Sequence, residues 1–279
     1  MSVQFGVFLT PSAAEPASVV SLARTAEESG FDLVTVQDHP YQPRFLDAWT
    51  LLSYLGAATE RVQLSANVHN LPLRPPAVLA RSAASLDLLT GGRVMLGLGA
   101  GAFWDAIVAM GGPRRTPGEG VDALSEAIHV IRALWDTDER GGVFLDGDYY
   151  PVQGAKRGPA PAHAIPICVG AYQPRMLRLV GRQTDGWWPS LPMMQSEEAL
   201  GAAGAIIDEA AVSAGREPDA VRRILNIGPG DAEVDRLVHL ARTYRISTFV
   251  VMGDDPEMIR RLGGEVLPAT RAALAGGLS

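Results

Sequence analysis

Lysine is almost missing from this chain. Of its 24 basic residues only Lys156 is a lysine; the other 23 are arginines. Schiff-base chemistry needs a lysine amine. Lys156 stands in a Gly- and Pro-rich stretch, so lysine-dependent aldolase and pyridoxal-phosphate mechanisms are set aside. Cysteine is as scarce: Cys168 stands alone, which excludes an internal disulfide and fits a reducing compartment. Positive charge is outweighed, with a net charge of −7. That argues against nucleic acid as partner, because phosphate binding needs a concentrated basic surface. No run reaches the roughly 18 apolar residues that span a bilayer. The start, Met1-Ser2-Val3-Gln4-Phe5, lacks the basic flank and long apolar stretch of a signal peptide. The expectation is a cytoplasmic protein that binds no membrane.

What is present is a repeated alternation. Short apolar runs at 3–9, 33–37, 62–66, 94–98, 165–169, 186–190, 223–227 and 248–252 read as strands. Most are apolar on both faces, as in a parallel sheet covered on both sides. Amphipathic stretches at 17–29, 46–59, 77–89, 120–136, 174–183, 197–214, 232–244 and 257–262 read as the helices between them, with a last helix near 268–275. Eight such units use up nearly all 279 residues. The pattern predicts an α/β fold, one (β/α)8 barrel over residues 1–279, with an open doubly wound sheet as the alternative. The long connection 137–164 predicts a small hairpin over 143–150 around Asp146-Gly147.

A barrel of this kind carries its site at the C-terminal strand ends. Loops 38–45, 67–76, 99–118 and 170–175 hold Arg44, Arg74, Arg114, Arg115 and Arg175 against Asp38 and Asp105. The loops after strands seven and eight hold Asp231, Asp254 and Asp255. An acidic protein with a locally basic half-rim points to an anionic ligand there; ordinary scatter of surface charge is the bland alternative. Helix N-termini attract anions. The start at Gly170-Ala171-Tyr172-Gln173-Pro174-Arg175 has small residues, an arginine and no carboxylate, which makes loop five the candidate phosphate site. The glycines of Gly97-Leu98-Gly99-Ala100-Gly101-Ala102-Phe103-Trp104 do not run straight into a helix, as a dinucleotide fingerprint must. They read instead as backbone kept bare for a flat ring, walled by Phe103 and Trp104.

Asp38-His39 ends strand two, an ionisable pair suited to proton relay. His69 and Asn70 follow strand three. Asp38, His39 and His69 offer metal-ligand chemistry without a metal motif, so no metal is expected. Cys168 reads as inert packing. In Trp187-Trp188, successive residues face opposite sides of strand six.

Several segments together resemble the bacterial luciferase-like family of flavin- and deazaflavin-dependent oxidoreductases. They are Gln37-Asp38-His39-Pro40, Asn67-Val68-His69-Asn70-Leu71-Pro72-Leu73-Arg74-Pro75-Pro76, Ser85-Leu86-Asp87-Leu88-Leu89-Thr90-Gly91-Gly92-Arg93, Leu96-Gly97-Leu98-Gly99-Ala100-Gly101, Pro166-Ile167-Cys168-Val169-Gly170-Ala171 and Gly181-Arg182-Gln183-Thr184-Asp185-Gly186-Trp187. The resemblance implies a homodimeric barrel that binds coenzyme F420, or alternatively FMN. It implies hydride exchange with a small, partly apolar substrate. His39 would relay the proton and Asp38 would orient it. It places the family's non-proline cis peptide near Asn67-Val68. Cofactor contacts would come from Asn67, Val68, His69, Gly99, Ala100 and Gly101, and phosphate contacts from Gly170, Ala171, Tyr172, Gln173 and Arg175. Phe8, Trp104, Trp187, Met193 and Met194 are the candidates for the substrate pocket. An FMN monooxygenase and a non-catalytic cofactor carrier are the competing readings. Connections after strands six and seven look short, which predicts an open mouth.

Overall fold

Apolar runs too short for helices become strands because each can pair on both edges and bury both faces. The computed structural model describes residues 3–276. Along the chain run β1 (Gln4–Leu9), α1 (Pro16–Glu28), β2 (Leu33–Val36), α2 (Ala48–Ala58), β3 (Gln63–Ala66), β4 (His69–Asn70), α3 (Pro76–Thr90), β5 (Leu96–Gly99), α4 (Trp104–Ala109) and α5 (Pro117–Trp135). There follow β6 (Gly142–Leu145), β7 (Val152–Lys156), β8 (Ile167–Val169), α6 (Pro174–Gln183), β9 (Gly186–Trp187), α7 (Glu198–Ser213), β10 (Arg222–Ile227), α8 (Val234–Tyr244), β11 (Thr248–Met252), α9 (Pro256–Arg261) and α10 (Leu267–Ala275).

The large sheet has the order β3-β2-β1-β11-β10-β9-β8-β5-β4. Its ends meet: Leu64 and Val94 form a parallel bridge. The Leu64 N–H donates to the Arg93 carbonyl at 2.8 Å, and the Met95 N–H to the Leu64 carbonyl at 2.9 Å. β4 continues the third strand beyond a kink and pairs with β5. The sheet is therefore a barrel with eight strand positions, and the open doubly wound alternative falls. Helices cover its outside through a large apolar layer. Inside, Leu33, Met95, Cys168, Trp188, Ile224 and Val250 pack together, with Phe8 against them. They make the barrel a filled core rather than a pore. Burial pushes the Cys168 thiol up to about 12, so it is a packing group there.

Three local expectations need correction. The hairpin is real, but β6 pairs with β7, so its turn is longer than Asp146-Gly147. The Glu126 carboxylate accepts the N–H groups of Asp148, Tyr149 and Tyr150 at 3.0, 2.9 and 3.0 Å, which takes that backbone out of the ladder. β9 ends at Trp187 rather than 190; Pro189 has no N–H to donate, although Ser190 still bridges Asn226. The connection 99–118 contains α4, which the sequence reading treated as loop.

Candidate active site

Strand ends and loops at one mouth of the barrel enclose a cavity of about 530 Å³, within the range of small-molecule sites. It is bordered by Asp38, His39, Asn67, Val68, His69, Gly99, Ala100, Gly101, Gly170, Ala171, Tyr172, Gln173 and Arg175. Every residue singled out for catalysis or cofactor binding is thus drawn to one place. Phe8 and Trp104 line it as well. Trp187, Met193 and Met194 do not. Trp187 is buried toward the helices, where its indole N–H donates to the Ala171 carbonyl at 2.9 Å. Met193 is 69% exposed, and Met194 packs against the outer apolar layer. Trp188 is the tryptophan that faces the barrel and the cavity.

The Asp38 carboxylate is 2% exposed and must find partners in the protein. It accepts from Arg74 Nε at 2.5 Å and Arg74 Nη2 at 2.6 Å, and from the Asn70 N–H at 3.0 Å. His69 Nδ1 lies 3.2 Å away. Burial alone would raise its pKa, but the Arg74 and His69 contacts outweigh it and hold the carboxyl well below the usual range. This corrects the expected pairing. Asp38 fixes His69 and Arg74 rather than His39. His69 is fully buried, packed on Trp49 with ring centroids 4.9 Å apart.

His39 is left facing the cavity. Its ring stacks on Tyr41 at 5.3 Å and meets Phe103 edge-on at 5.4 Å. Burial lowers its pKa below the usual imidazole value, partly offset by the Asp38 charge. A half-buried imidazole that is neutral near pH 7 suits proton transfer in either direction.

Below the mouth, Asn67 and Asn226 form a reciprocal amide pair, Nδ2 to Oδ1 at 2.7 and 3.1 Å. Asn226 also accepts from Trp188 Nε1 at 2.9 Å and donates to Ser190 Oγ at 2.9 Å. The peptide bond between Asn67 and Val68 is cis, where the family resemblance placed it. The glycines of β5 serve this segment, which is a second correction. A Cβ at Gly97 would stand 2.4 Å from the Ala66 carbonyl oxygen, and one at Gly99 would stand 2.7 Å from Val68 Cγ2. They make room for the chain's own third strand. Sequence reasoning missed Asn226; a polar residue inside the apolar run Ile224-Leu225-Asn226-Ile227 was the available signal. Asn226→Leu should strand the Trp188 N–H and the Asn67 amide, lowering stability by about 1–3 kcal/mol in urea unfolding.

At loop five, Pro174 opens α6. The N–H groups of Ala171, Tyr172 and Gln173 have no acceptor among the described residues. Free amides just before a helix N-terminus are the kind of groups that an anion can satisfy. The basic half-rim, by contrast, is largely neutralised. Arg74 is shared by Asp38 and Asp47, Arg114 pairs with Asp105, and Arg175 pairs with Asp122 at 2.6 Å. Arg115 is buried against the Tyr149 and Tyr150 rings.

The sequence model for luciferase-like monooxygenase matches residues 1–264. An F420-dependent glucose-6-phosphate dehydrogenase of Nocardia farcinica is 36% identical over 226 residues, 76% of this chain and 64% of that protein. The protein of the same name from Microbacterium testaceum is 31% identical over 287 residues, 97% of this chain and 82% of that one. The chain spans just under two thirds of the length of several curated relatives it matches. In fold it is similar to an F420-dependent secondary alcohol dehydrogenase in complex with an F420–acetone adduct. The TM-score is 0.84 at 21% identity, covering 97% of this chain and 99% of that one.

Proposed function

The chain belongs to the luciferase-like monooxygenase family, and on that premise we propose that it is an F420-dependent oxidoreductase acting on a small, partly apolar organic substrate. Its relatives named as F420-dependent dehydrogenases support the cofactor. The observation that carries the reading is one continuous cavity, bordered by His39 and by the free amides of loop five. Those amides fit a phosphate; the Asn67-Val68 segment and the backbone of Gly99, Ala100 and Gly101, which border the same cavity, fit a flat ring.

In this assignment Gly170, Ala171, Tyr172, Gln173 and Arg175 hold the phosphate. Asn67, Val68, Gly99, Ala100 and Gly101 border the ring, with His69 supporting them from behind through Asp38. When bound, the deazaflavin supplies or takes hydride. The protein's own task is positioning and proton movement. His39 takes the substrate proton on oxidation or returns it on reduction. Tyr41 and Phe103 pack against its imidazole, and Trp104 lines the same cavity. Asp38 and Arg74 anchor the strand end from which His39 projects, so they act as positioning residues.

Among the described residues no helix is long and apolar enough to cross a membrane. A homodimer would cover the exposed apolar side chains Tyr54 on α2 and Val78 and Leu89 on α3.

Titrating the apo-chain with oxidised F420 and, separately, with FMN tests the reading. The expected result is saturable one-to-one quenching of F420 fluorescence. Tight FMN binding without F420 binding, accompanied by oxygen consumption with reduced FMN, would overturn it in favour of a monooxygenase.

A further inference from the structure

Resting on the F420 reading above, we propose that the substrate is an uncharged carbinol, or the matching carbonyl compound, with an apolar body, and not a phosphorylated sugar. The arginines around the mouth carry the argument. A phosphate ester brings about two negative charges and needs a free cation or free amides. Arg175 is the one arginine or lysine bordering the cavity among the described residues. It is the second residue of α6, beside the amides assigned to the cofactor phosphate. Arg74, the cation nearest the Asp38-His39 strand end, is closed off by two carboxylates, Asp38 and Asp47. Arg44 is exposed on the same loop and does not border the cavity. Across the mouth, the turns after β10 and β11 carry Asp231, Asp254 and Asp255 and neither arginine nor lysine.

The chemistry around His39 points the other way. Tyr41 and Phe103 flank its imidazole, and Phe8 and Trp104 extend the apolar wall. Phe103 is 58% exposed, an aromatic face held at the entrance without apolar cover. Such a wall rewards an apolar body and leaves a charged group without a partner. On oxidation the carbinol C–H bond breaks and its electron pair leaves with hydrogen as hydride to the oxidised deazaflavin, which is reduced. The hydroxyl proton passes to the neutral imidazole of His39, and the carbinol becomes the carbonyl compound.

The test uses the F420-loaded chain, with cofactor uptake first confirmed by fluorescence. Cyclohexanol, 1-phenylethanol, glucose and glucose 6-phosphate are compared by titration calorimetry and by the rate of F420 reduction. The expected result is saturable binding and turnover of an alcohol that inorganic phosphate does not inhibit, with kcat/KM for glucose 6-phosphate lower by about 100-fold or more. Phe103→Ala should raise the alcohol KM by about tenfold with kcat within about twofold. Phe103→Arg should narrow the gap to glucose 6-phosphate by about tenfold. Preference for glucose 6-phosphate, or binding of neither class by a loaded enzyme, would overturn the proposal. Failure to take up F420 at all, seen before substrate is added, would overturn the reading beneath it.

Discussion

His39→Ala should lower F420-dependent turnover by about 10²–10⁴-fold while changing deazaflavin affinity by less than about tenfold. The imidazole borders the cavity and makes no hydrogen bond to another side chain among the described residues. Removing it leaves no buried group stranded, so folding stability should shift by no more than about 1 kcal/mol. The pH dependence has a definite sign. In the proposed role of base, His39 would work only when neutral, and burial sets its pKa below 6.5. Oxidation should therefore rise with pH through a midpoint below 6.5 and stay level above it. The acid limb should vanish in His39→Ala. A variant that keeps both the rate and the limb would remove His39 from the chemistry.

Asp38→Ala should be the most damaging substitution for the fold itself, costing about 3–5 kcal/mol in urea unfolding. It breaks a bidentate pair with Arg74 and strips His69 and the Asn70 N–H of their acceptor. The same carboxylate gives the protein an acid-sensitive component. Its folded pKa lies below the usual 3.8 because Arg74 and His69 outweigh the effect of burial. A depressed folded pKa means that its stabilisation is fully present above the unfolded value. That stabilisation is lost as pH falls below it toward the folded pKa. Comparing Asp38→Asn with the parent chain between pH 5 and about pH 2 isolates this component. The parent should lose stability more steeply with acid. Equal slopes would show that Asp38 is not held as an ion.

Much of this was legible in the sequence, for reasons that differ by element. The barrel strands could be read because each short run is apolar on both faces, and the helices because their stripes repeat. The mouth could be read because glycines, an Asp-His pair and a carboxylate-free helix start each stand at a strand's C-terminal end. What could not be read depends on contacts between distant positions. Arg74 sits 36 residues from Asp38, and nothing local shows that they lock together and leave His39 alone. Charge counting failed for the same reason: Arg74 and Arg175 each meet a carboxylate from outside the counted loops, Asp47 and Asp122. Trp187 and Trp188 were known to face opposite ways, but which one faced inward depended on the register between β8 and β9. Gly97 and Gly99 were recognised as clearance, though the object they clear is Ala66 and Val68 of the chain itself.

The central claim is that one cavity at the barrel mouth receives the deazaflavin, phosphate at loop five and ring beside His39. Amide hydrogen exchange of the apo-chain with and without F420 tests this most directly. The account predicts slowed exchange at 171–173, with further protection over 67–70 and 99–103, and little change in α2, α3 and α10. Protection confined to the α2–α3 surface, or binding that leaves 171–173 unprotected, would contradict it.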